Sequence, residues 1–115
     1  NTLTETQADE KWFNRLNEII QENISNTEFS VDQLTRSVNM SRTLLYAKVK
    51  AVTGLTPNEF IRLVRLRKAA EYLAGNEYKI NEICYMVGFN SPSYFAKCFQ
   101  NQFGVLPKDF INNTN

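Results

Sequence analysis

The chain contains the same pattern of residues twice, about fifty residues apart. In each copy an apolar segment leads to a turn residue, a serine, a second apolar segment and a glycine. The corresponding pairs are Leu34 and Ile83, Thr35 and Cys84, Val38 and Val87, Met40 and Phe89, Ser41 and Ser91, Leu45 and Phe95, Val49 and Phe99, Gly54 and Gly104, Pro57 and Pro107, and Phe60 and Phe110. So many matches at nearly constant spacing indicate two copies of one structural unit.

The second copy predicts two helices joined by a tight turn. Apolar residues at Ile80, Ile83, Cys84 and Val87 have the spacing of one helix face. Gly88 suits the left-handed conformation that ends a helix, and Ser91 followed by Pro92 is typical of a helix start. The second helix is predicted to end at Gly104 and to bury Phe95, Cys98, Phe99 and Phe103. This is a helix-turn-helix pattern, whose second helix can enter the major groove of DNA.

The first copy predicts the same arrangement. A helix from Val31 to Val38 follows Ser30 as a cap, and Asn39 takes the place of the turn glycine. Ser41 then caps a helix that runs to about Thr53 and ends at Gly54. The residues predicted to be buried on this second helix are Leu45, Val49 and Val52.

One long helix is predicted between the copies, from Pro57 to Gly75. Thr56 and Glu59 have the spacing of a capping box. The predicted inner side consists of Phe60, Ile61, Val64, Ala69, Ala70 and Leu73, and the outer side carries Arg62, Arg65, Arg67 and Lys68. Such a helix is about 27 Å long, so two units at its ends can lie about one DNA turn, 34 Å, apart.

The segment before the first copy predicts one more helix, from Ala8 to about Asn23. Its apolar stripe is Trp12, Phe13, Leu16, Ile19 and Ile20. Trp12 and Phe13 are interpreted as core anchors rather than as a partner site. The expected fold is all-α, with about seven helices forming two helix-turn-helix subdomains joined by a long linker helix. The predicted divisions are a disordered tail over 1–7, a first unit over 8–55, the linker over 56–75 and a second unit over 76–115.

Charge is unevenly distributed along the 115 residues, although the net charge is only +1. Residues 1–30 hold two basic and six acidic side chains, a net charge of −4. Residues 31–115 hold eleven basic and six acidic side chains, a net charge of +5. The basic part can therefore meet a polyanion while the acidic part faces away from it.

Composition argues against several classes of function. The chain has no histidine and no C-x-x-C motif, so the usual residues for zinc sites and for acid–base catalysis are missing. We expect no enzyme activity, metal or cofactor. Cys84 and Cys98 could pair, but buried free thiols in a cytoplasmic protein are the favoured interpretation. No apolar run reaches the roughly 20 residues that span a bilayer, and an initial Asn suggests a fragment of a longer protein.

From about Phe29 to Phe110, the chain resembles the DNA-binding domain of the AraC/XylS family of bacterial transcription regulators. The matching positions are Ile80, Glu82, Ile83, Gly88, Phe89, Ser91, Ser93, Phe95, Lys97, Phe99, Gly104 and Pro107, with Arg65, Leu66, Ala69, Tyr72 and Leu73 in the linker. Departures are Thr35 and Cys84 for a usual alanine, Ala47 for a frequent basic residue and Ile111 for a frequent arginine. The segment from Ser41 to Arg62 further resembles output domains of hybrid two-component sensor-regulators.

The resemblance implies sequence-specific binding of double-stranded promoter or operator DNA by two recognition helices in successive major grooves. It also implies regulation of transcription, a contact with RNA polymerase and a dimeric full-length parent, with no membrane contact by this domain. By family position the reading residues are Thr43, Ala47, Ser93 and Lys97. The rival hypothesis is a helical protein–protein interaction module that does not read DNA.

The exposed sides of the two second helices supply further candidate contacts. Arg42 can pair with guanine through its planar fork, and Lys48 and Lys50 fit the neutralisation of phosphates. Tyr46, Pro92 and Tyr94 complete the set, although the two tyrosines could equally be partly packed. Ser41 and Ser91 are helix caps whose neighbouring N–H groups could hold phosphates. The basic side chains of the linker are either phosphate contacts or a solvated helix face, and Arg65 could instead form an ion pair at the edge of the core.

Overall fold

The structure is a computed structural model that describes the backbone of residues 2–114 and the side chains of residues 7–111. These residues form seven helices and no strand, which confirms the predicted all-α class. The helices are α1 (Thr2–Glu22), α2 (Val31–Val38), α3 (Arg42–Thr53), α4 (Pro57–Gly75), α5 (Ile80–Met86), α6 (Pro92–Phe103) and α7 (Pro107–Thr114). Helix pairs α2–α3 and α5–α6 are the two predicted helix-turn-helix units, and α4 is the linker.

Local capping explains where most helices begin. The side chains of Ser30, Ser41, Thr56 and Ser91 each accept a hydrogen bond from the backbone N–H three residues later. Glu59 completes the predicted capping box by accepting the Thr56 N–H at 2.9 Å. This hydrogen bond from the Thr56 backbone lowers the pKa of the Glu59 carboxyl. The predicted caps are thus confirmed, because each depends only on residues close in the sequence.

Helix α1 differs from its predicted span. It begins at Thr2 rather than at Ala8, so the backbone of residues 2–7 continues the helix into the segment that we expected to be a disordered tail. Asn1 lies outside the described residues. The prediction used only the apolar stripe, whereas residues 2–7 contain neither glycine nor proline to end a helix. The division of the chain into a tail, two units and a linker stays a prediction.

Two hydrophobic cores lie along α4. The first core contains Leu16, Ile20, Leu34, Leu45 and Val49 from α1, α2 and α3, and the second contains Ile83, Cys84, Phe95 and Phe99 from α5 and α6. Helix α4 contributes Phe60, Ile61 and Val64 to the first core and Leu66, Ala69 and Leu73 to the second. One continuous helix therefore supports both units, in a molecule with a longest extent of 48 Å.

Two predictions about burial are wrong. Val52 is 48% exposed, whereas Leu55, just beyond the end of α3, is partly buried against the first core. Arg65 is 7% exposed rather than on the outer side of the linker, because α4 is covered on more than one side. Cys84 and Cys98 are buried free thiols, as expected, and burial raises the pKa of Cys84.

Candidate nucleic-acid interface

Helix α3 presents a defined outward face. Asn39 adopts a left-handed conformation with φ of 54°, which ends α2 and turns the chain toward Ser41. Leu45 and Val49 are fully buried and fix the rotation of α3 about its axis. The residues that this rotation leaves exposed are Arg42, Thr43, Leu44, Tyr46, Ala47 and Lys50.

Helix α6 has the same construction. Gly88 has a φ of 91°, and Phe89 then closes the turn through a hydrogen bond from its N–H to the Cys84 carbonyl. Phe95 and Phe99 are fully buried and fix the rotation of α6. The exposed residues on its outward side are Pro92, Ser93, Tyr94, Lys97, Gln100 and Asn101.

Two of the predicted contact residues on α3 already have partners. The Arg42 guanidinium forms an ion pair with the Asp32 carboxylate of α2. The Lys48 ammonium lies 3.7 Å from a carboxylate oxygen of Asp9 and 4.6 Å from the centre of the Trp12 ring. Lys48 therefore faces α1, whereas Thr43, Tyr46, Ala47 and Lys50 face away from the core.

Tyr94 lies between α6 and the linker helix. It is 49% exposed, and its ring packs against Phe89 at a centroid distance of 6.0 Å. Nη1 of Arg62 donates a hydrogen bond of 3.4 Å to its hydroxyl. Both interpretations of this tyrosine, surface contact and partly packed residue, thus describe part of its environment.

Arg62 and Tyr94 also border two adjacent clefts. One cleft runs along α4 and α6, and the other lies between the two units at the Gly88 turn. Among the described residues, neither lining contains a carboxylate, and Arg62 has no ion-pair partner. The charged side chains that line these two clefts, Arg62, Arg65 and Lys97, are therefore all basic.

The reading helices contain no acidic residue at all. Helix α3 carries Arg42, Lys48 and Lys50, and helix α6 carries Lys97. Two acidic side chains of α1, Glu18 and Glu22, lie within 3.1 and 3.7 Å of the Arg15 guanidinium, whereas Asp9 lies 3.7 Å from Lys48 of α3. The two helices thus combine polar or methyl-bearing outward residues with positive charge, which suits contact with a polyanion.

Sequence reasoning missed two outward residues, Leu44 and Gln100. Leu44 corresponds to Tyr94 in the repeat, and Gln100 corresponds to Lys50. Both are exposed. If the outward positions of each copy are transferred to the corresponding positions of the other copy, both residues are identified.

The side chains and helices in the described part of the chain bear on two other kinds of site. No group of three or more His, Cys, Asp or Glu residues there is placed to hold a metal ion. None of the described helices combines the length and the apolar character needed to cross a membrane.

Comparison with known proteins places this arrangement in a family. The sequence profile of a helix-turn-helix domain matches residues 34–113. The chain is 41% identical over 110 residues to histidine kinase P4 of Formosa agariphila, covering 96% of this chain and 8% of that protein. It is 34% identical over 98 residues to the HTH-type transcriptional regulator MtrA of Neisseria gonorrhoeae, covering 84% of this chain and 33% of the regulator.

The fold is likewise that of a solved domain. The DNA-binding domain of AdpA, a global transcriptional factor crystallised with a target DNA, superposes with a TM-score of 0.79 at 23% identity, over 86% of this chain and 88% of that one. The chain spans a third or less of the two curated relatives described above. It belongs to the helix-turn-helix domain family, in the form characteristic of AraC/XylS-type transcription regulators.

Proposed function

We propose that this chain binds a specific double-stranded DNA site by inserting α3 and α6 into successive major grooves, and thereby regulates transcription. The observation that carries the proposal is the duplication itself. Two capped helices without acidic residues, each held by a buried core, are attached to one continuous helix. A 48 Å molecule can span one DNA turn of about 34 Å.

In the first unit, Thr43 and Ala47 read bases through methyl contacts, and Arg42 pairs with guanine. Tyr46 borders the same face, and Lys50 neutralises a phosphate. Lys48 contributes to phosphate binding only when its ammonium leaves Asp9 and Trp12. Backbone N–H groups at the α3 start, next to Ser41, are available to a further phosphate.

In the second unit, Ser93 and Lys97 read bases. Pro92 and Tyr94 border the contact, and N–H groups beside Ser91 are available to a phosphate. Lys97 is exposed, so its ammonium can move to a base edge without losing a buried partner.

The parent protein is proposed to act in the bacterial cytoplasm as a dimer that contacts RNA polymerase. The likeness to a stretch of a histidine kinase supports a role as the output domain of a hybrid two-component system. A dimeric parent would raise the effective concentration of the second domain at paired sites. No cofactor and no enzyme activity belong to this proposal.

A protein-interaction module is the second candidate. The observation that favours it is the exposure of three apolar side chains on α3, namely Leu44, Tyr46 and Val52. Such a surface could meet a partner protein, and binding would then not depend on Arg42 or Lys97.

Selection of bound duplexes from a random pool, at two salt concentrations, distinguishes these functions. Our proposal predicts enrichment of two short elements about one helical turn apart and binding that weakens steeply with salt. It also predicts losses on replacing Arg42 or Lys97 with alanine. Absence of binding at low salt would contradict the DNA proposal and favour the interaction module.

Replacing Asp32 with asparagine is expected to strengthen DNA binding. The Asp32 carboxylate competes with DNA for Arg42 and repels phosphates. An exposed ion pair contributes up to about 1 kcal/mol, so we expect a two- to fivefold lower Kd in a fluorescence anisotropy titration. The matched control is Glu71→Asn, which removes one carboxylate from the α4 surface beside Lys68. Weaker binding by Asp32→Asn would show instead that Asp32 orients Arg42 for reading.

A further inference from the structure

Arg65, in the middle of the linker helix, joins three backbone segments. Its Nη1 donates to the Ile24 carbonyl at 2.5 Å and to the Val87 carbonyl at 2.8 Å. Its Nη2 donates to the Asn26 carbonyl at 3.1 Å. Ile24 and Asn26 belong to the connection between α1 and α2, and Val87 is the cap residue that follows α5 in the second unit. One side chain on α4 therefore holds both units.

The chemistry of this contact is directional. Guanidinium donors lie in one plane at fixed angles, so three acceptors bound together have a defined mutual placement. Arg65 is 7% exposed and has no carboxylate partner among the described residues. Its three acceptors described above are main-chain oxygens, and a buried guanidinium that lost them would remain uncompensated.

The other polar contact described at this junction is the exposed hydrogen bond of 3.4 Å from Arg62 to the Tyr94 hydroxyl, which joins α4 to the second unit only. Each unit is attached to α4 mainly by apolar side chains, and apolar attraction has no preferred direction. The Ile24 side chain packs against both cores, and the Ile24 carbonyl accepts a hydrogen bond from Arg65. The turn at Gly88 lies so close to the guanidinium that a Cβ there would overlap Nη1. That turn leads directly into α6.

We propose that Arg65 is a positioning residue that fixes the orientation of the second unit relative to the first. Because this orientation is fixed, the chain binds only DNA in which the two elements are separated by one particular spacing. The expected effect on DNA spacing rests on the proposed function, whereas the fixed orientation of the two units does not. Inserting one base pair moves an element by about 3.4 Å and turns it by about 35° around the duplex, which a rigid pair of helices cannot follow.

The first test compares Arg65→Lys with Arg67→Lys, an equal change at an exposed position two residues away. The probes are the selected duplex, versions with spacing altered by one or two base pairs, and a duplex with one element scrambled. For Arg65→Lys we expect about tenfold weaker binding to the selected duplex, a flattened spacing profile and nearly unchanged binding to the single element. Arg67→Lys should keep the original profile.

Two results would overturn the proposal. An unchanged spacing profile in Arg65→Lys would mean that Arg65 does not set the orientation. An equal loss of affinity for one-element and two-element duplexes would mean that Arg65 contributes only to the overall stability of the fold.

A second measurement does not depend on DNA binding. Nitroxide labels at Ser37→Cys on α2 and Asn81→Cys on α5 report the distance between the units, and both sites are exposed. The chain without these substitutions, whose own thiols are buried, gives the labelling background. We expect a narrow distance distribution in free protein, and a broader one in Arg65→Lys when that variant folds. A broad distribution with Arg65 intact would overturn the proposal even if the chain binds no DNA.

Discussion

Replacing Gly88 with alanine is expected to lower the free energy of unfolding by about 4 kcal/mol or more. Gly88 has a φ of 91°, where a side chain adds backbone strain of about 1–2 kcal/mol. A Cβ would also overlap Nη1 of Arg65 and the carbonyl oxygen of Ile24. Relief of that overlap would pull a buried charge away from its acceptors, which costs about 3–5 kcal/mol when a partner is lost.

Urea unfolding followed by circular dichroism measures the effect, and Gly54→Ala is the matched control. Gly54 also has a positive φ, 77°, but a Cβ there would meet no atom within 4 Å. The free energy of unfolding of the control variant should therefore fall only by the cost of the backbone strain, about 1–2 kcal/mol. Equal losses in the two variants would contradict the account of the Arg65 contact.

Reversing the charge of Lys97 is expected to have the largest effect on DNA binding with the fold intact. Lys97 is an exposed residue of α6, opposite the buried Phe95 and Phe99, so Lys97→Glu should leave stability nearly unchanged. The variant loses a base contact of about 1–3 kcal/mol and adds repulsion from phosphates. We expect about a hundredfold higher Kd on the selected duplex and a shallower salt dependence.

Arg67→Glu makes the same charge change on α4 and is the control for long-range electrostatics. Arg67 lines a groove with Asn17 and Gln21 of α1, away from the outward face of α6. We expect its effect to stay within about threefold at moderate salt, because screening weakens distant charges. Comparable losses in both variants would mean that Lys97 acts only through net charge, not through a base contact.

The fold follows closely from local sequence signals. Caps such as Thr56 with Glu59, turn residues such as Asn39 and Gly88, and the spacing of Phe95 and Phe99 each act within a few residues. Their consequences could therefore be predicted without knowledge of tertiary contacts. Because the same local signals recur in both copies, the repeat also predicted that the two units have the same helix-turn-helix arrangement.

The contacts that sequence reasoning missed are long-range. Arg65 binds carbonyls 22, 39 and 41 residues away, and periodicity assigned it to the outer side of a helix that has cores on more than one side. Lys48 was expected to face phosphates, yet its partners Asp9 and Trp12 belong to α1. Contacts with main-chain acceptors and with side chains of distant helices produce no sequence pattern near the residue that makes them.

Hydroxyl-radical footprinting of the chain on its selected duplex tests the central claim most directly. The account predicts two protected segments on one face of the DNA, centred about 10 base pairs apart, and loss of one segment in Lys97→Glu. A single protected segment, or two segments that Lys97→Glu weakens equally at saturating protein, would contradict the reading of each segment by its own helix.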